Sequence, residues 1–303
     1  MNVLLTGATG FLGSHLARGL LREGHDVAVI IRRTSDTRRI ADILPFLTVC
    51  YLDDGIRPVF EAGHPIDAVI HTATQYGQRG ESSSDILAAN VSFPLQLLES
   101  ALFSGVPLFI NTDTYFSKTG DDYVYLDAYI LSKRQFSEWC RKIAGKGGIR
   151  VVTMVLEHLY GPGDNESKFV STLMRSLLAD VPALPMTPGE QRRDFIFVDD
   201  VVSAYQTVLR HSQVVSRLDD EYCVGTGEAH SVRCFAETAR ELCRAHTELL
   251  FGSLPYRVGE IMESKADCRA LHMLGWKARV GLREGIQMTC AASGRELAEA
   301  NPS

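Results

Sequence analysis

The chain has 303 residues, 45% of them hydrophobic and 22% charged, with a formal net charge of −6 from 31 basic and 37 acidic side chains. That length supplies one large or two modest domains with a full core, and the acidic balance leaves no electrostatic footprint for a nucleic acid. The opening apolar stretch is too short and too broken by glycine for a signal peptide or a membrane span, so a cytoplasmic protein without a membrane partner is expected.

The first element is a short apolar strand, Met1-Asn-Val-Leu-Leu5, which runs into Thr6-Gly7-Ala8-Thr9-Gly10-Phe11-Leu12-Gly13. An amphipathic helix then begins at Ser14 and continues through Leu21. A strand, a glycine turn and a helix N-terminus make an anion site, because free backbone N–H groups and the helix dipole face the ligand. Gly7 permits the turn, Gly10 lets a pyrophosphate approach the backbone, and Gly13 lets the helix pack on the strand. Thr9, Phe11 and Leu12 lie in the same turn and are expected to contact the dinucleotide with them. The second strand, Val27–Ile31, ends in Arg32-Arg33 without the carboxylate that would select NAD. Arg32 offers a planar fork for a 2′-phosphate, so NADPH is the expected cofactor, with NADH or NAD the alternative.

Strand signals recur at Leu47–Leu52, Ala68–His71, Leu108–Asn111 and Val151–Leu156, with helical patterns between most of them. This alternation predicts an α/β fold, a doubly wound parallel sheet of Rossmann type whose ligands bind at the carboxyl ends of its strands. Beyond Gly161 the composition changes, and Pro182, Pro185 and Pro188 punctuate a loop. The dinucleotide domain is expected over 1–160, with 191–227 returning to it. A smaller C-terminal substrate-binding lobe is expected over 161–190 and 228–303. The seven cysteines include no Cys-x-x-Cys pair; they are expected to be small buried hydrophobes in a reducing compartment, forming neither disulfides nor a metal site.

Tyr129-Ile-Leu-Ser-Lys133 carries the chemistry. Positions i and i+4 share a helix face, so a phenol and an ammonium stand side by side. A neighbouring cation is expected to pull the tyrosine pKa from its usual value, about 10, towards neutrality, where the phenol can exchange a proton with a substrate oxygen. Thr112, at the end of the fifth strand signal, could hold that same oxygen.

These features together resemble the extended short-chain dehydrogenase/reductases, the superfamily of nucleotide-sugar epimerases, dehydratases and ketoreductases. The likeness extends along nearly the whole chain: Asp67–Ala73, Asn90–Glu99, Leu159-Tyr-Gly-Pro-Gly-Asp164, Arg193–Asp200, Tyr222–Gly227, Arg257-Val-Gly-Glu260 and Leu274-Gly-Trp276 all match in order. The resemblance implies that Ala73 lies near the nicotinamide ribose and that Asp53, or equally Asp54, contacts the adenine. It implies Thr112, Tyr129 and Lys133 as the catalytic group, and Lys133 also as a ribose ligand. Asn111-Thr-Asp-Thr114 is similar to the Thr-Asp-Glu of the 4,6-dehydratases, but Thr114 stands where their glutamate base belongs, which argues against that reaction.

A narrower resemblance is to the CDP-abequose and CDP-paratose synthases, which reduce the C4 keto group of a CDP-activated deoxyhexose. It implies NADPH-dependent reduction of a nucleotide-activated 4-keto-6-deoxyhexose, carried on CDP or dTDP. Arg193 and Arg257 would then clamp the diphosphate, Lys168 would be a weaker phosphate ligand, His158 would contact the sugar, and Asp113 would assist proton handling at the substrate or serve equally as a structural acceptor at the strand end. An epimerase with tightly bound NAD is the rival enzyme, and a non-enzymatic NAD(P)-binding regulator the rival outside catalysis. A homodimer is implied through helices near 86–104 and 129–144, with Ile86, Leu87, Leu97, Leu98, Phe136 and Trp139 as its apolar face.

Overall fold

The computed structural model describes residues 1–61, 65–118, 125–214 and 220–300. In chain order the first half runs β1 (Asn2–Thr6), α1 (Phe11–Arg22), β2 (Asp26–Ile31), β3 (Thr48–Tyr51), α2 (Arg57–Glu61), β4 (Ala68–His71), α3 (Ser83–Leu87), α4 (Phe93–Phe103), β5 (Leu108–Thr114), α5 (Asp127–Ala144) and β6 (Arg150–Leu156). The second half runs β7 (His158–Tyr160), α6 (Phe169–Leu178), β8 (Ala183–Met186), β9 (Arg192–Arg193), β10 (Phe195–Phe197), α7 (Val198–Val214), β11 (Glu221–Val224), β12 (His230–Ser231), α8 (Val232–Cys243), β13 (Glu248–Phe251), α9 (Arg269–Met273) and α10 (Leu282–Ala300).

Seven strands form the main sheet in the order β11-β6-β5-β4-β1-β2-β3. The pairs from β3 across to β6 are all parallel, as the alternation of strand and helix signals requires. The order reverses between β1 and β4, and such a switch point is where an open α/β sheet binds its ligand. Both strands are apolar nearly throughout, since helices cover both faces: Val3, Leu4, Leu5, Val69 and Ile70 are buried. β5 continues beyond the expected Asn111 to Thr114 and stays buried along its length, which brings Thr112, Asp113 and Thr114 to the carboxyl edge.

Two compact units divide the chain. One comprises Met1–Gly120, Val124–Leu156 and Val202–Cys223; the other comprises Asp121–Tyr123, Glu157–Val201 and Val224–Ser303. The return to the first unit thus begins at Val202 rather than at 191. The reason lies in the pairing of the Arg192–Asp200 segment: β10 pairs with β7, the Asp194 carboxylate accepts from the Thr226 and Gly227 N–H groups, and Asp200 accepts from the Arg279 and Val280 N–H groups. Each of these partners belongs to the second unit.

In the first unit, Ser83–Phe103 is long and apolar enough to cross a membrane by composition alone. Here its Leu97, Leu98 and Ala101 pack into the main core beside Phe109, Phe136 and Val151. Ile86 is buried as well, so four of the six residues expected to form a dimer face, Ile86, Leu97, Leu98 and Phe136, are spent on the core. Leu87 and Trp139 remain exposed, together with Leu131 and Phe103.

Candidate active site

At the end of β1 the backbone turns sharply at Gly7, where φ is +78° and a Cβ would lie 2.6 Å from the Ala73 nitrogen beyond β4. A Cβ on Gly13 would stand 2.0 Å from the Gly7 carbonyl oxygen, so no larger residue lets α1 approach the turn this closely. Gly10, by contrast, would meet only the Gly7 oxygen, at 3.2 Å; its outer side is open. It caps α1 without any side-chain hydrogen bond, and no acidic residue occupies the first turn. The helix N-terminus therefore keeps its donors and its partial positive charge for an incoming anion, and the cradle fits a dinucleotide pyrophosphate.

Beyond β2, Arg33 makes a bidentate pair with Asp54 at 2.8 Å, lies over the Tyr51 ring, and donates its backbone N–H to Asp53. Both acids expected at the adenine are thus spent, at least in part, on holding Arg33. Arg32 is exposed, and its N–H donates to the Ser35 hydroxyl at 3.0 Å. Among the described residues no ion-pair partner takes the Arg32 guanidinium, which leaves it suited to a phosphate.

The Tyr129–Lys133 pair lies on α5 against the end of β5, and both side chains are buried. Lys133 Nζ donates to the Thr112 carbonyl oxygen at 2.8 Å and lies 6.0 Å from the centroid of the Tyr129 ring. The Thr112 hydroxyl is bonded to the Tyr205 phenol of α7 at 2.7 Å. It is Thr114, two residues along the same strand, whose hydroxyl hydrogen-bonds Tyr129, and Tyr76 bonds the phenol as well. The two tyrosine rings lie 4.8 Å apart, tilted by 34°.

The electrostatics correct one expectation. Burial pushes the Tyr129 phenol well above its usual range, and Tyr76 and the Asp113 charge push the same way, opposed only by the Thr114 hydrogen bond. Lys133 does not offset them. Its ammonium is turned to a carbonyl, and burial lowers its own pKa, with Asp113 opposing. Burial thus favours the neutral phenol over the phenolate in this pocket.

Asp113 is engaged within the first unit. Its Oδ1 accepts from the Thr114 N–H and its Oδ2 from the Ser117 and Ser137 hydroxyls, which anchors the end of β5 to α5. Asn90 does the same for the loop after β4: its side chain accepts from the Gln75 N–H and donates to the Gln75 carbonyl and to Ser132, beside the Tyr129–Lys133 pair. It sits in a π-helical turn over Ala88–Ser92, a wide turn of the kind that recurs at functional sites.

In the second unit, Arg193 is buried and ion-paired to Glu260 at 2.5 Å. The structure thus brings together Arg193 and the Arg257–Glu260 segment, but through the glutamate; Arg257 itself is exposed. Arg193 is accordingly not the open phosphate clamp the sequence suggests. Lys168 is held by the buried Asp164 at 2.9 Å. His158 packs edge-on against Phe195, and burial, then the Arg193 and Lys168 charges, hold it well below its usual pKa and therefore neutral.

Two contributors escaped the sequence reading. Thr114 cannot act as a base, yet strand alternation places it on the face of Thr112, and that alternation is the signal that marks it as a phenol partner. Tyr76 lies on a loop five residues beyond β4, and no local pattern points to it.

Residues 3–225 match the model of the NAD dependent epimerase/dehydratase family. The chain is 36% identical over 289 residues to the CDP-abequose synthase of Salmonella typhimurium, covering 94% of this chain and 96% of that one. Among solved structures, MoeE5 in complex with UDP-glucuronic acid and NAD is 28% identical with a TM-score of 0.82, covering 98% of this chain and all of its own. A UDP-glucose 4-epimerase from Stenotrophomonas maltophila with bound NAD superposes with a TM-score of 0.86 at 23% identity, over 99% of this chain and 100% of that one, which speaks to the fold. With its glycine cradle at the switch point and its Tyr-x-x-x-Lys helix against β5, the chain belongs to the NAD-dependent epimerase/dehydratase family, the extended short-chain dehydrogenase/reductases.

Proposed function

We propose that the protein is a nucleotide-sugar 4-ketoreductase, which reduces the C4 carbonyl of a CDP- or dTDP-linked 4-keto-6-deoxyhexose with NADPH. The observation that carries this reading is the buried Tyr129–Lys133 pair of α5, set against the end of β5 with Lys133 Nζ on the Thr112 carbonyl. A phenol placed here can give its proton to a ketone oxygen as hydride arrives at the carbon. The likeness to CDP-abequose synthase along nearly all of both chains supports the same class of substrate.

NADPH supplies the hydride, and the protein's own groups do the rest. Tyr129 gives its proton to the oxygen that becomes the alcohol, while the Thr112 and Thr114 hydroxyls position that oxygen. Lys133 spends one hydrogen on the Thr112 carbonyl and keeps two for the nicotinamide ribose, next to the phenol it would help recharge. The N-terminus of α1 holds the pyrophosphate, and Arg32 with Ser35 receives the 2′-phosphate. In the second unit His158 meets the sugar as a neutral donor or acceptor. Arg257 takes the diphosphate, and Arg193 joins it when Glu260 releases it. A cytoplasmic homodimer goes with this reading, and the exposed Leu87, Leu131 and Trp139 supply its apolar contact.

The test is NADPH oxidation, followed at its absorbance band, with CDP- and dTDP-4-keto-6-deoxyglucose. Turnover with one of them, lost in Tyr129→Phe while NADPH still binds, supports the reductase and identifies the nucleotide. The NAD-bound 4-epimerase neighbours favour a second reading. Protein that purifies with NAD bound, and shows no net NADPH consumption with either sugar, would replace the reductase with an epimerase.

A further inference from the structure

All seven cysteines are free, and two of them, both in the second unit, stand together. Cys243, the last residue of α8, and Cys290 on α10 bring their Sγ atoms to 2.7 Å. The two sulfurs stand inside ordinary non-bonded contact, and a bond between them needs an approach of less than about 1 Å more, to roughly 2.05 Å. The helices they belong to pack side by side, so neither backbone must travel to bring the thiols together. Other cysteines are engaged differently: Cys268 donates to the Gly225 carbonyl, Cys223 receives Lys118 Nζ at 3.2 Å, and Cys140 is buried with its thiol pushed up to about 12 by desolvation.

We propose that Cys243 and Cys290 are a reversible thiol–disulfide site, oxidised by low-molecular-weight disulfides and reduced by thiols. The chemistry balances without any other reactant. One cysteine, as thiolate, attacks a sulfur of the small disulfide; a protein–small-molecule mixed disulfide forms and one small thiol leaves. The second cysteine then attacks the protein sulfur, displacing the second small thiol. Two protein thiols are oxidised, one disulfide is reduced to two thiols, and the two protons pass to the leaving thiols. Both cysteines are half-buried, so a small reagent reaches one of them while the partner stands ready for the second, intramolecular step. The bond closes a loop between positions 47 apart in sequence, which restricts the unfolded chain and makes the oxidised protein harder to unfold. It also fixes α8, whose other end follows directly from β12, the strand paired with Arg192 and Arg193.

The test uses the full chain, first reduced and freed of reductant, then incubated with oxidised glutathione. Thiols counted under denaturing conditions should fall from seven to five, the intact mass should fall by about 2 Da, and peptide mapping should find Cys243 joined to Cys290. The apparent Tm should rise, and dithiothreitol should reverse all of these changes. Cys243→Ser should instead accumulate a glutathione adduct on Cys290, with no rise in Tm. Retention of all seven thiols, adducts on the wild-type protein without the cross-link, or a cross-link between other cysteines would each overturn the proposal.

Discussion

His71 closes β4 beside the cofactor turn and is among the most deeply buried titratable groups in the protein. Its ring packs among Phe93, Phe109 and Phe136, with centroids 5.8 to 6.3 Å away, and its Nδ1 lies 2.8 Å from the Thr6 hydroxyl. Burial, and secondarily the Lys133 charge, lower its pKa from 6.5 to about 3. Between these values the unfolded chain binds a proton that the folded chain refuses, so stability present above pH 6.5 is lost as pH falls towards 3. At pH 5 the unfolded imidazole is about thirtyfold more protonated than not, which costs the folded state about 2 kcal/mol. That figure depends little on the folded value so long as it stays below the working pH. His71→Asn keeps an amide near Thr6 but does not titrate. Urea unfolding at pH 7.5 and pH 5.0 should show the wild type losing about 2 kcal/mol more than the variant between the two conditions. The His158 contribution has the same sign in both proteins and cancels in the difference. An equal loss in both would refute the assignment of a neutral, unprotonatable His71.

Three further outcomes are expected. Gly13→Ala would drive a Cβ to 2.0 Å from the Gly7 carbonyl oxygen; it should cost about 1–3 kcal/mol of stability and abolish the fluorescence enhancement of bound NADPH. Arg32→Ala should raise the NADPH Kd by about ten- to a hundredfold, from the loss of one charge-assisted contact, while leaving that for NADH nearly unchanged. Tyr76→Phe removes one of the groups that hold the Tyr129 phenol up. It should shift the alkaline titration of that phenol downward in ultraviolet difference spectra, with Tyr129→Phe as the blank, and lower kcat more than it changes KM.

Much of the protein could be read from local pattern. The glycine turn between β1 and α1, the strand–helix alternation and the i,i+4 spacing of Tyr129 and Lys133 are all short-range features, because backbone sterics and helix periodicity act over a few residues. They are enough to predict a parallel α/β sheet, a glycine cradle and the meeting of Tyr129 with Lys133. What surrounds that pair is decided at long range. Asn90 reaching Ser132, Tyr205 taking the Thr112 hydroxyl and Tyr76 packing against Tyr129 join residues 42, 93 and 53 positions apart, and no local periodicity encodes such meetings. The sign of the Tyr129 shift is the clearest case. Sequence spacing puts an ammonium near the phenol and predicts a lowered pKa. The folded protein buries both groups and turns the ammonium to a carbonyl, and desolvation, a property of the whole surroundings, outweighs the single neighbour. The same holds for Arg193, whose type suits a phosphate but whose position, beside Glu260, only the tertiary structure determines.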